Sequence, residues 1–116
     1  MKPGDVVLIR LPQAAGGPPE LRPALVLASL PGPFQSLLNC GISTRLGNLQ
    51  PDWDEPIGPD DADYSASGLH QRSAIRLSYL YAADEREISG AIGRVAPERL
   101  ERLLHRLAQR LTGSGR

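Results

Sequence analysis

The chain has 116 residues, with 13 Lys+Arg set against 13 Asp+Glu for a formal net charge of zero. That length suits one domain with a modest core. Zero net charge excludes a protein that coats nucleic acid by bulk electrostatics, and charges, prolines or glycines interrupt every apolar stretch before it reaches the length of a membrane span. A single cysteine, Cys40, leaves no internal disulfide framework and reads as a small buried hydrophobe. Phe34, Trp53, Tyr64, Tyr79 and Tyr81 are the only aromatics, so the core must be mainly aliphatic.

In chain order, Asp5 to Leu11 is rich in β-branched residues and reads as a first strand. Residues 12–20 hold two glycines and three prolines and read as a loop. The run Leu21-Arg22-Pro23-Ala24-Leu25-Val26-Leu27-Ala28 then carries six apolar residues in eight and predicts a strand buried on both faces from about residue 22 to 29. Its Arg-Pro start places a guanidinium where the strand leaves a glycine- and proline-rich loop. That position suits a phosphate or carboxylate ligand, and it equally suits a solvated charge at a strand end.

A turn at residues 31–33 leads to a third strand, 35–42, followed directly by Ser43, Thr44 and Arg45. Residues 47–58 read as irregular, with 53–57 able to pair at an edge, because Pro56 has no N–H for a central ladder. Residues 60–67 read as a solvated, mobile acidic loop. The wider stretch around it holds Asp52, Asp54, Glu55, Asp60, Asp61 and Asp63 and no base. Residues 73–81 alternate enough for a strand, with Ile75, Leu77 and Tyr79 on one face and Arg76, Ser78 and Leu80 on the other. A short strand follows at 88–92.

The period then changes. Leu100, Leu103, Leu104, Leu107 and Leu111 recur at helical spacing, with Ala108 in the same stripe. Pro97 suits the first helical turn, and Gly113 ends the helix near Leu111 or Thr112. The tail, 112–116, is expected to fray. Short strands closed by one terminal helix predict a mainly β fold, a strongly bent antiparallel sheet or partial barrel with the helix packed on it, over a single domain of residues 1–116. The beginning lacks the apolar segment of a signal peptide, so the cytoplasm is the expected location.

Several of these segments resemble a known family. Gly4-Asp5-Val6-Val7-Leu8, a glycine-rich loop, and Arg22-Pro23-Ala24-Leu25-Val26-Leu27 are similar to the start of MazF/PemK toxins, the Kid group included. Cys40-Gly41-Ile42-Ser43-Thr44-Arg45 stands where that family has a strand ending in a proline-x-threonine-serine motif. Ser67-Gly68-Leu69, then Ser73-Ala74-Ile75-Arg76-Leu77, and Ile92-Gly93-Arg94-Val95 ahead of Pro97, Glu98 and Leu100, continue the resemblance in order over residues 3–111. Residues 47–67 match poorly.

The resemblance implies an SH3-like small barrel of the CcdB/Kid/MazF kind with a C-terminal α-helix, acting as a homodimer. It also implies metal-independent cleavage of single-stranded RNA at short sequences, and a labile antitoxin partner that is short, acidic and partly disordered. Neither a cofactor nor a metal is expected, and no membrane.

Cleavage of that kind needs a group to take the 2′-OH proton, a donor for the charge building on the phosphate, and an acid for the leaving oxygen. By the resemblance, Arg22, Ser43 and Arg76 are the candidate catalytic residues, with Thr44 the alternative hydroxyl if the register differs by one. Turn capping by Ser43 or Thr44 and a surface strand charge at Arg76 are the structural alternatives. Some family members place a carboxylate two residues after the strand arginine; here that position is Ser78. The base is therefore open, with Glu20, near Arg22, and His70, which titrates near neutrality, as candidates. The loss at Ser78 and the acidic stretch also fit an alternative: a same-fold, CcdB-like toxin that binds a protein, or an inactive homologue. A general SH3-like interaction module ranks last, since such surfaces use aromatic residues and this chain has five.

Overall fold

The computed structural model describes residues 1–11 and 16–113. Six strands form one antiparallel sheet: β1 (Asp5–Leu11), β2 (Glu20–Ser29), β3 (Ser36–Ser43), β4 (Glu55–Ile57), β5 (Ser73–Asp84) and β6 (Ile88–Arg94). They lie side by side in the order β4-β5-β3-β2-β1-β6. A short helix, α1 (Tyr64–Ser67), precedes β5, and the terminal helix α2 spans Pro97–Thr112. A 3-10 turn at Glu85–Glu87 joins β5 to β6. Part of the sequence-predicted 12–20 loop and the end of the tail lie outside the described residues.

The apolar sequence of β2 has a simple consequence. Leu25 and Leu27 enter one core with Val6, Cys40, Ile42, Ile57, Ile75 and Leu77 from the sheet and Leu103 and Leu107 from α2. Ala24 and Val26, pointing the other way, join Val7, Ile9, Leu37, Ala83 and Ile88 in a second cluster on the opposite face. β2 is thus buried on both sides, as its composition predicts. On α2 the apolar stripe is narrower than the leucine spacing predicts. Leu103 and Leu107 are buried, Leu100 and Leu104 half-buried, and Ala108 and Leu111 exposed, because the last turn runs past the core. Pro97 opens the helix, and Gly113 closes it in the left-handed conformation, φ 72°.

The acidic segment departs from the solvated loop expected of it. Asp63 is buried and accepts from Arg99 Nε at 2.8 Å and from the Ala96 N–H at 2.9 Å. Residues 64–67 are helical, and the Ser67 hydroxyl donates to Tyr64 O. Glu55 is buried under three arginines of α2: Arg99, Arg102 (Nη2–Oε2 2.7 Å) and Arg106 (Nη2–Oε1 2.9 Å). Positions 99, 102 and 106 share one helix face, so a single carboxylate on the three-residue β4 meets all three. The acid-rich middle and the arginine-rich end of the sequence are therefore two halves of one ion-pair network. Its partners lie 36 to 51 residues apart, beyond the reach of any local pattern. Gly68 and Gly93 let this segment approach the sheet closely. A Cβ at Gly68 would lie 2.2 Å from Ile92 O, and one at Gly93 would lie 2.1 Å from Ala66 O.

Candidate active site

The face of the sheet turned away from α2 carries the predicted site residues, and the strand register aligns them. Ala24 of β2 pairs with Gly41 of β3, which pairs with Arg76 of β5. Two residues along the same face come Ser43 on β3 and Arg22 on β2, both beyond the last pair of the β2–β3 ladder. Pairing between β2 and β3 stops at Ala24, next to Pro23, which has no N–H to donate. Glu20, Leu21, Arg22 and Pro23 pair with β1 alone. The strands part there, and Arg22 stands beside the opening with its side chain 54% exposed. It pairs with Glu20 at 2.8 Å, a contact natural to positions i and i+2 on one face of a strand. The Ser43 hydroxyl accepts from Arg45 N–H at 3.0 Å, which leaves its own proton to donate. Thr44 is exposed beside it. His70 is exposed in the turn before β5, and no hydrogen bond or ion pair among the described residues involves it.

β5 does not keep the alternation its sequence predicts. Cys40 pairs with Leu80, whereas Gly41 pairs with Arg76, so three extra residues of β5 bulge between them. The bulge exchanges the two faces. Leu80 packs against the helix-side core, and Tyr79, expected to face inward with Ile75 and Leu77, is 51% exposed on the other side. Its ring lies over Gly41, where a Cβ would meet Tyr79 Cδ2 at 2.8 Å. The rings of Tyr79 and Tyr81 are 5.1 Å apart, so a tyrosine pair stands next to the arginine row.

The residue that ties this face together is Asp54, which the sequence reading passes over. Its side chain has no exposed surface. Oδ2 accepts from Arg76 Nη1 at 3.1 Å and from Gln50 N–H at 2.9 Å. Oδ1 accepts from Ser78 N–H at 3.0 Å and Ser78 Oγ–H at 2.8 Å. The Ser78 N–H is available because the bulge takes it out of the β3–β5 ladder. Arg76, only 13% exposed at its side chain, also donates to Asn48 O at 2.8 Å and to Arg45 O. Ser43, Arg45, Arg76, Asp54 and Ser78 thus form one connected set, with Glu20 and Arg22 as a separate pair. Asp54 gives no local sequence signal, being one of six carboxylates in a stretch without bases.

Beneath this surface Cys40 is fully buried. Burial, with the Asp54 carboxylate second, pushes its thiol up to about 12, so it stays protonated and inert.

The chain is thus a small, mainly β domain with a terminal helix and an arginine–hydroxyl surface on the sheet face turned away from that helix. The match to a family model extends over residues 2–111, and the chain belongs to that family: the PemK-like, MazF-like toxins of type II toxin–antitoxin systems. Among solved structures it is similar to the Mycobacterium tuberculosis toxin MazF-mt6. The TM-score is 0.62 and the identity 15%, over 89% of this chain and 93% of that one. This likeness fixes the fold as that of MazF toxins, with its six-stranded antiparallel sheet and C-terminal helix. Among curated protein sequences there is no match. As the toxin of such a pair, the protein has an antitoxin as its partner. Among the described residues no helix is long and apolar enough to cross a membrane.

Proposed function

We propose that this toxin is a metal-independent endoribonuclease that cuts single-stranded RNA at the sheet face turned away from α2, where β2 and β3 part. The observation that carries the reading is the Glu20–Arg22 pair, held at 2.8 Å just past the last β2–β3 pair, Ala24 with Gly41, where the two strands part. A planar guanidinium matches two phosphate oxygens and stabilises the charge that builds on them. The Ser43 hydroxyl supplies a second donor to the same phosphate. Glu20, already within hydrogen-bond reach of Arg22, is the carboxylate placed to take the 2′-OH proton when RNA displaces the ion pair. Arg76 and Ser78 line the same face through their contacts with Asp54. The exposed Tyr79, backed by Tyr81, offers a ring face on which an unpaired base stacks.

The antitoxin in this reading is a short, acidic, partly disordered chain that competes with RNA for the exposed Arg22. The toxin acts in the cytoplasm as a homodimer. Inducing expression without antitoxin tests the reading: growth stops and cellular RNA is cut at short, recurring sequences. Growth arrest with intact RNA would contradict it and favour a protein target. That second reading draws on Ser78, which stands where a strand carboxylate serves in some relatives.

A further inference from the structure

Residues 44–54 connect β3 to β4, and Arg76 of β5, on the face turned away from α2, donates to two carbonyls along them. A loop of this length has no ladder of its own, so something must hold it. At its start, Ser43 Oγ accepts from Arg45 N–H, and Arg45 O accepts from Arg76. At its middle, Asn48 O accepts from Arg76. At its end the chain turns tightly: Trp53 N–H and Asp54 N–H both donate to Gln50 O, at 3.1 and 3.0 Å. Asp52 adopts the left-handed conformation there, φ 68°, one that Asp tolerates better than most residues. That turn brings the Asp54 carboxylate back over Gln50 N–H and down onto Arg76 and Ser78. A carboxylate without exposed surface is stable only when paired and hydrogen-bonded. Asp54 has one guanidinium and three further donors, two of them on a bulge of β5.

We propose that Asp54 is a positioning residue of the site on this face: it fastens the 44–54 loop to the β5 bulge, fixing the loop as one wall of that site and orienting Arg76 and Ser78. The proposal rests on the reading of this face as the RNA site. Its loop-fastening half is measurable without any RNA. Because both the loop amide (Gln50) and the strand amide (Ser78) donate to the same carboxylate, they lose protection together if Asp54 is the fastening.

The test compares wild type with Asp54→Ala by amide hydrogen exchange and by cleavage kinetics. In Asp54→Ala the Gln50 and Ser78 amides exchange about tenfold faster or more, the loss typical of bonds to a charged acceptor, while the Leu25 and Leu27 amides of β2 keep their protection. On RNA, kcat falls about tenfold or more and KM changes less, as misplacement of a site requires. The Arg76→Ala/Asp54→Ala double variant is no slower than the slower single variant, because both remove the same fastening. Asp54→Asn, which keeps the side-chain volume and loses the charge, gives intermediate values. It also carries the comparison if Asp54→Ala fails to fold. Unchanged protection at Gln50 and Ser78, or additive effects in the double variant, would overturn the proposal. If no form of the protein cuts RNA, the RNA reading fails, and the exchange result still decides whether Asp54 fastens the loop.

Discussion

Arg22 and Tyr79 illustrate how differently two residues of one surface can be read. Arg22 is legible in the sequence because its position depends only on its own strand: an arginine before a proline, at the head of an apolar run, emerges where that run leaves its loop. Its side chain is exposed and contributes little to stability. Arg22→Ala is therefore expected to fold with an unchanged melting temperature and to cut RNA about 100-fold more slowly or worse, the loss seen when one donor to a developing oxyanion is removed. Steady-state kinetics beside a melting curve checks both halves. Tyr79 is not legible, because its face is set by three extra residues in β5 that appear only when β5 is laid against β3. Tyr79→Ala should weaken binding of an uncleavable single-stranded oligonucleotide by about 1–3 kcal/mol, the usual worth of one stacked base. Equal affinity of wild type and variant would remove the tyrosine pair from the RNA surface. Asp54 is hidden for a related reason: its partners Arg76 and Ser78 are more than 20 residues away.

At the scale of elements, the strands and the terminal helix follow from local pattern. β2 is apolar on both sides and buried on both sides; α2 begins at Pro97 and ends at Gly113. The acidic stretch could not be read locally, since the cations of Glu55 and Asp63 arrive with α2 and that of Asp54 with β5. That network makes a prediction about acid. Burial works to raise the Glu55 carboxyl, but hydrogen bonds from Arg102 and Arg106 and the nearby Arg102 and Arg99 charges hold it below the ordinary range. Burial likewise opposes ionisation of Asp63, and Arg99 with the Ala96 N–H holds it low. Both carboxyls thus have folded values below their unfolded ones. Their stabilisation is present in full above the unfolded carboxyl range, about pH 4–4.5, and is lost as pH falls through the folded values. The melting temperature should change little from about pH 7 to 5 and drop below about pH 4, with a shallower acid slope in an Asp63→Asn protein. Arg99→Leu leaves Asp63 buried without its guanidinium and should cost about 3–5 kcal/mol in denaturant unfolding at neutral pH. A cost under about 1 kcal/mol would mean that the network relaxes into solvent and that α2 holds by its leucines alone.

For the whole molecule, one face of the sheet packs against α2, and the other holds a second apolar cluster with the arginine and hydroxyl groups at its margin. The short segments that resemble the family meet particular structural needs here: Gly4 has φ 95° at the entry to β1, the β2 run fills both apolar clusters, and Gly68 and Gly93 permit close backbone approaches. The homodimer proposed for it predicts twice the chain mass in light scattering, and a monomer would remove that part of the reading. The most direct measurement places the pure toxin with a single-stranded RNA in EDTA, beside an Arg22→Ala preparation of equal folded concentration. Cleavage at a few defined sites by the wild type, and RNA left largely intact by Arg22→Ala, is the predicted result. RNA untouched by the wild type, or cut equally well by both proteins, would contradict a ribonuclease centred on Arg22.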